Sequence, residues 1–272
     1  MDPITPTPAF TLSRSPLELR FRSARLVARE WLAADYVRVR LAGEDLAGFG
    51  SDGHDDHIRV FFADGPADTV EQLRAFPSRE YTPLAWGEDE GVGWLDLEFA
   101  VHAAGTDGQL GVAGPWAAGA PLGSLVGIGG PRGSISLTGS PSAWLLAGDE
   151  TAIAQLRRYA ALIPSGAPAT ILVEVPDAEH EVRIDAPVDV EYVHRGQDPA
   201  GSALAARLDA IAAADRPDGD VFGFIAAEQT IVKPGRALLV DRWGLDPERI
   251  IVKGYWKRGE SEYHAPHGPG AR

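Results

Sequence analysis

The residues with the clearest chemical purpose are Arg79, Tyr81 and Thr82, within the stretch Ser78-Arg-Glu-Tyr-Thr-Pro83. On a strand, side chains two apart project from the same face, so Arg79 and Tyr81 point together. Pro83 has no N–H and cannot continue a central ladder, which puts Thr82 at the strand's end. A guanidinium, an aromatic ring and a hydroxyl thus converge at one edge of a sheet. That set suits a ligand with a phosphate, a flat ring and a polar ring edge. Arginine grips a pyrophosphate through two charge-assisted hydrogen bonds, which lysine does less well. The same residues also fit an ordinary edge strand with one exposed cation, so the elements around them must decide.

Those elements read as short strands in the first half. Tyr36 to Leu41 alternates, with Val37, Val39 and Leu41 on one face. His57 to Phe62 sets Ile58, Val60 and Phe62 against His57 and Arg59. Trp94 to His102 has Leu95, Leu97, Phe99 and Val101 on a buried face, with Asp96, Glu98, Ala100 and His102 opposite. Short apolar runs follow at Leu125 to Ile128 and Ser134 to Leu137. Short strands between turn clusters predict an antiparallel barrel. After Thr138-Gly-Ser-Pro141 the pattern changes. Strand-like runs at Ala143–Ala147, Ala169–Val175, Val190–His194, Val221–Ala226 and Ile250–Trp256 alternate with helical spacing. The helices carry Ile153, Leu156, Ala160 and Ile163, then Leu204, Leu208 and Ile211, and a third runs from about Glu228 to Val240. That alternation predicts βαβ units and a parallel sheet. The expected division is a barrel over residues 1–140 and an α/β domain over residues 141–272.

Composition limits the chemistry. The 272 residues include no cysteine, which excludes disulfides, thiolate zinc sites and iron–sulfur clusters. Electrons moving through this chain would need an organic carrier. The formal net charge of -14 disfavours nucleic acid and anionic membrane as partners. The N-terminal segment has no apolar stretch of signal-peptide type and no segment reaches transmembrane length, so the expectation is a soluble, cytoplasmic monomer. His54-Asp-Asp-His57 has metal-ligand residue types, but consecutive side chains diverge, and it reads as structural.

Taken in order from about Leu17 to Gly259, the motifs resemble those of the siderophore-interacting proteins. These are FAD-dependent ferric-siderophore reductases of the ferredoxin-reductase superfamily. The Arg-x-Tyr-Thr strand is similar to the family's flavin signature. Asp96-Leu-Glu-Phe-Ala-Val-His102 resembles its Asp-x-x-Phe-x-x-His segment, and Gly111-Val-Ala-Gly-Pro-Trp-Ala117 its Gly-Pro-Ala-Ser-x-Trp-Ala loop. The resemblance implies a six-stranded Greek-key barrel binding FAD through Arg79, Tyr81, Thr82, Phe99, Ala100, Val101, His102, Ala113, Gly114 and Trp116. Val112 stands where the family has Pro and Gly114 where it has Ser, so a hydroxyl contact to the pyrophosphate is lost. Trp144-Leu-Leu-Ala-Gly-Asp-Glu-Thr-Ala152 resembles the start of the nicotinamide domain. It implies NADPH or NADH contacts at Gly148, Asp149, Glu150 and Thr151, with further contacts at Arg195 and Glu228. Ala227 stands where the family has glycine, which implies narrower access of the backbone to the nicotinamide. Trp256, in Gly-Tyr-Trp-Lys-Arg-Gly259, either covers the cofactor or belongs to the core.

The resemblance also implies a cationic pocket for an anionic ferric siderophore, built from Arg59, Arg132 and Lys257. The implied activity is transfer of a hydride from NAD(P)H to FAD, then of single electrons to Fe(III). No side chain is needed as a catalytic acid or base. Two other readings stay open: a flavin reductase of the same fold with another electron acceptor, and a non-catalytic flavin or siderophore binder.

Overall fold

A computed structural model describes residues 8–101, 111–260 and Tyr263. The first half runs through β1 (Phe10–Pro16), β2 (Phe21–Ala33), β3 (Tyr36–Gly43), β4 (Ile58–Phe62), helix α1 (Val70–Arg74), β5 (Ser78–Tyr81), β6 (Ala85–Asp89), β7 (Val92–Ala100), helix α2 (Ala113–Gly119), β8 (Leu125–Gly129) and β9 (Gly133–Gly139). The second half comprises β10 (Ala143–Asp149), α3 (Ile153–Ala160), β11 (Ala169–Val175), β12 (Val190–His194), α4 (Ser202–Asp209), β13 (Val221–Glu228), α5 (Val232–Arg236) and β14 (Ile250–Trp256).

Seven of the first nine strands form one antiparallel sheet in the order β5-β4-β8-β2-β3-β7-β6, while β1 and β9 pair as a separate ribbon. The sheet curls as a half-barrel whose edge strands, β5 and β6, do not pair with each other. The expected barrel and α/β order hold, but six strands undercounts the sheet. After Pro83 the chain re-enters the ladder at once, with the Leu84 N–H donating to the Asp96 carbonyl at 3.0 Å before β6 begins. Period-two alternation places the core as expected: Ile58, Val60, Phe62, Leu95, Leu97 and Phe99 are all buried. The opposite face of β7 is covered as well. Asp96 pairs with Arg40 through two bonds of 2.7 and 2.8 Å, and Glu98 accepts from Arg38, Arg157 and the Tyr36 hydroxyl.

The second sheet is parallel throughout, ordered β12-β11-β10-β13-β14. Its central strands β10 and β13 are buried along their full length, as a sheet covered on both faces requires. The single helix expected from Glu228 to Val240 is broken. A 3₁₀ turn (Gln229–Ile231) leads into α5, and a π-turn (Ala237–Arg242) follows it. Pro234 lies in the first turn of α5, where its missing N–H costs least. The wide π-turn lets Leu238 and Leu239 both be fully buried, Leu239 lying over Gly223 where a Cβ would sit 2.6 Å from its Cδ1.

The halves share a core. Phe10 of β1 packs edge-on against Phe222 of β13 with ring centroids 5.9 Å apart, and Tyr36 joins the same cluster as Trp144, Tyr159 and Phe224. Arg158 of α3 ties the halves together further, donating to the Ser51 and Gly53 carbonyls at 2.6 and 2.7 Å. His54 takes part in this junction as an acceptor, its Nδ1 receiving the Leu137 N–H at 3.0 Å. Burial and the nearby Arg158 hold its pKa below the ordinary value. Among the described residues no group of His, Asp and Glu side chains is arranged to hold a metal ion.

Candidate functional site

β4 and β5 pair antiparallel, with Ile58 opposite Tyr81, Arg59 opposite Glu80 and Val60 opposite Arg79. The pleat sends Arg79 and Tyr81 to one face and Ser78 and Glu80 to the other, as the sequence predicts. The Tyr81 ring lies 4.1 Å from Phe99, centroid to centroid, at an interplanar angle of 39°. Phe62 and Trp116, 5.3 Å apart, extend this aromatic layer. Burial raises the Tyr81 hydroxyl pKa above its ordinary value, opposed by the nearby Arg79 guanidinium. Arg79 donates to the Ser78 carbonyl at 2.7 Å, and among the described residues no carboxylate pairs with it. The Thr82 hydroxyl turns towards the second half, 3.4 Å from Gln155 Oε1 on α3.

Helix α2 lies against the end of β7. A Cβ on Gly114 would meet Val101 Cα at 3.6 Å and the Ala100 carbonyl at 3.9 Å, both ordinary contacts. Arg29 holds the other end of α2, donating to the Ala117 and Ala120 carbonyls. Trp116 carries a buried indole N–H with no hydrogen-bond partner, and it lines a cavity of about 470 Å³ with Asp64, Gly65, Pro115, Pro121 and Leu125. Trp144 Nε1 and the Tyr159 hydroxyl are also buried without partners, in the core of the second half, so the Trp116 donor points to a ligand through its company with Arg79 and the aromatic layer. A guanidinium without a carboxylate, an aromatic layer and an orphaned N–H together fit the phosphate and ring system of a flavin nucleotide. His102 lies outside the described residues.

In the α/β half, the strand order reverses between β10 and β13, the place where open parallel sheets bind ligands. Asp149 and Glu228 end those two strands. Asp149 is fully buried and accepts four hydrogen bonds, from Thr151 N and Oγ1, Glu228 N and Trp256 Nε1, at 2.5 to 2.9 Å. Burial and the neighbouring Glu150 push its pKa up to about 7 against the donors from Thr151 and Trp256. Gly148 is required by packing, since a Cβ there would stand 2.6 Å from Ala152 Cβ and 2.7 Å from the Ala226 carbonyl. Arg195 forms a bidentate pair with Glu150 at 2.7 and 2.8 Å and lies 3.6 Å from Glu174. Glu174 in turn accepts the Gly201 and Leu204 N–H groups, and burial raises its pKa. Glu228 accepts from Thr230 N and Oγ1.

The structure thus brings Asp149, Glu150, Thr151, Arg195, Glu228 and Trp256 to one sheet edge, but bonded largely to one another. Arg195 stands within an ion pair rather than open to phosphate. Ala227 does not narrow this edge: its methyl is fully enclosed in the apolar layer of Leu204, Ile225 and Ile231. Trp256 is half-buried, its N–H anchored on Asp149.

The three expected pocket cations are in different states. Arg59 pairs with Glu80 at 3.0 Å, Lys257 pairs with Glu260, and Arg132 is exposed with no carboxylate partner among the described residues. Sequence reasoning did not single out Glu80, Gln155 or Glu260. Only the folded β4–β5 register sets Glu80 beside Arg59, across a connection that contains α1.

A half-barrel with a flavin-compatible cradle, followed by a five-stranded parallel sheet, defines a flavin-dependent oxidoreductase of ferredoxin-reductase architecture. Solved structures agree: the ferredoxin reductase of carbazole 1,9a-dioxygenase matches in fold with a TM-score of 0.60 at 17% identity, covering 88% of this chain and 68% of its own. More specifically, residues 25–135 match the siderophore-interacting FAD-binding domain and residues 141–259 the siderophore-interacting protein model. The ferric vibriobactin reductase ViuB of Vibrio cholerae is 31% identical over 258 residues, 88% of this chain and 90% of the relative. The NADPH-dependent ferric-chelate reductase of Escherichia coli is 31% identical, covering 88% and 94%. A siderophore utilization protein from T. fusca superposes with a TM-score of 0.78 at 29% identity, over 93% of this chain and 98% of its own. The chain belongs to the siderophore-interacting protein family.

Proposed function

We propose that this protein is a cytoplasmic, monomeric ferric-siderophore reductase that uses NADPH and FAD to reduce siderophore-bound Fe(III). The observation that carries the reading is Arg79, a guanidinium beside the Tyr81 hydroxyl with no carboxylate partner among the described residues. When bound, FAD supplies the exchange between the electron pair of a hydride and the single electrons that Fe(III) accepts. Arg79 would hold the pyrophosphate, Tyr81 would offer an aromatic face backed by the buried Phe99 ring, and the Trp116 N–H would complete a buried contact. Residues 1–140 serve the flavin and residues 141–272 the nicotinamide nucleotide, with Asp149 fixing the Trp256 indole at the sheet edge. Iron is released because Fe(II) is held more weakly than Fe(III) by hard oxygen donors. The names of the Vibrio and Escherichia relatives, a ferric vibriobactin reductase and an NADPH-dependent ferric-chelate reductase, support the same assignment.

The test is an anaerobic titration. NADPH should bleach the flavin absorbance of the purified protein, and a ferric siderophore should restore it while Fe(II) appears in a ferrous-specific chelator. Bleaching reversed by a ferredoxin or quinone, with no Fe(II) formed, would assign a different acceptor. A flavin that NADPH does not bleach would leave a binding protein.

A further inference from the structure

The corner that follows Arg79 and Tyr81 is held from the other half of the molecule. The chain leaves the β4–β5 ladder after Tyr81, which pairs with Ile58, and joins the β7 ladder at Leu84. Thr82 and Pro83 lie between the two ladders, and α3 supplies a partner to each. The Thr82 hydroxyl lies 3.4 Å from Gln155 Oε1, and Arg158 donates to the Pro83 carbonyl at 3.2 Å. The Arg158 guanidinium also lies over the Trp86 ring of β6, 5.4 Å from its centroid. Gln155 and Arg158 are three apart on α3, so they share one face of the helix.

The same two side chains grip the segment that leads into β4. Arg158 donates to the Ser51 and Gly53 carbonyls at 2.6 and 2.7 Å and to the Ser51 hydroxyl at 2.9 Å. Gln155, fully buried, donates to the His54 carbonyl. That segment is itself braced. Asp56 accepts the Gly53 N–H and the Ser51 hydroxyl, both at 3.0 Å, and a Cβ on Gly53 would collide with Ser134 Oγ. A guanidinium is a planar fork whose N–H groups have fixed directions. Clamped on two carbonyls of a braced loop, the Arg158 fork has a set aim at Pro83. The face of α3 is thus keyed to both strands of the β4–β5 hairpin.

We infer that Gln155 and Arg158, though they belong to the α/β half, are positioning residues of the flavin site. They set the corner after β5 and with it the aim of Tyr81 and Thr82 at the flavin. The inference rests on the flavin reading of Arg79, Tyr81 and Thr82 above, and adds two residues that act on the ligand only through them. The flavin site is then incomplete in the first half alone: the helix that starts beside Asp149 and Glu150 also holds the strand that meets the flavin.

FAD affinity and the visible circular dichroism of the bound flavin test this in the full-length protein, because an isoalloxazine ring takes that signal from a fixed orientation against its surroundings. Arg158→Met should weaken FAD binding about tenfold, the effect of losing a hydrogen bond to a charged group, and should diminish the visible signal at saturating FAD. Arg158→Lys keeps the charge without the fork and should recover part of both. Gln155→Met leaves the Arg158 clamp in place and should weaken FAD about threefold. Asp220→Ala is the control. Asp220, at the start of β13, accepts the Ala9 N–H at 2.6 Å across the halves, so its loss loosens the junction at the end away from Glu228 and should leave affinity and signal as in the wild type. Wild-type affinity and signal in Arg158→Met, or an equal loss in Asp220→Ala, overturns the inference. Where Arg158→Met does not fold, Gln155→Met and Arg158→Lys decide by the same readings. If the wild type binds no FAD, or Arg79→Ala leaves its affinity unchanged, the flavin reading itself fails and the inference with it.

Discussion

At the proposed flavin cradle, the Trp116 indole N–H has no partner and Arg79 reaches only the carbonyl of its neighbour, Ser78. At the edge of the parallel sheet, Asp149 alone accepts four hydrogen bonds and Arg195 is held by two carboxylates. Folding has left the first region short of partners and has satisfied the second from within. A ligand at the cradle therefore completes bonds that the chain leaves open. A nucleotide at the sheet edge must instead use surfaces the Asp149 network leaves over, or displace the Glu150–Arg195 pair. The first region should show itself in ligand affinity and the second in stability.

Asp149→Ala should give the largest effect, a loss of about 4 kcal/mol in urea unfolding, because it strands buried donors on Glu228 and Trp256. A loss below about 1 kcal/mol would break the comparison. Arg79→Ala should act the other way. FAD binding weakens about a hundredfold, read by equilibrium dialysis, while the flavin-free protein keeps its urea midpoint to within about 0.5 kcal/mol.

The comparison also carries a pH dependence. The folded Asp149 pKa of about 7 lies above its ordinary value of 3.8, so the folded state binds the proton more tightly than the unfolded one. Its contribution to stability is complete below pH 3.8 and is lost as pH rises through about 7. At its steepest the loss approaches about 1.4 kcal/mol per pH unit, and Asp149→Asn should flatten it in unfolding curves between those limits. The smallest effect belongs to Gly114→Ser. The cradle has room for the Cβ, so the hydroxyl should raise FAD affinity a few-fold, about 0.5–1 kcal/mol, with no cost in thermal stability. A weakened flavin would mean that the Val101 contact is less tolerant than its 3.6 Å spacing implies.

Much of the fold was legible because β alternation is local. Ile58, Val60 and Phe62 announce both the strand and its buried face, and the unbroken apolar runs of β10 and β13 announce a sheet covered on both sides. The shared face of Arg79 and Tyr81 was legible for the same reason, by parity alone. The burial of Glu98 was less accessible, since one of its partners, Arg157, comes from the other half of the chain. Glu80 was invisible as a partner of Arg59 because a long connection containing α1 separates them, and only the folded register brings them together. Ala227 misled for a related reason. A sequence position near a cofactor does not say which way a methyl points, and here it points into the core.

The contact between Phe10 and Phe222 has a consequence during synthesis. A chain leaves the ribosome from its N-terminus, and domains generally fold in that order. Phe10 emerges early, yet the strand that buries it does not exist until residue 222 is made. From the completion of β9 at Gly139 until Phe222 is made, the finished half-barrel carries an uncovered apolar ribbon, and β13 acts as the lid that makes β1 safe.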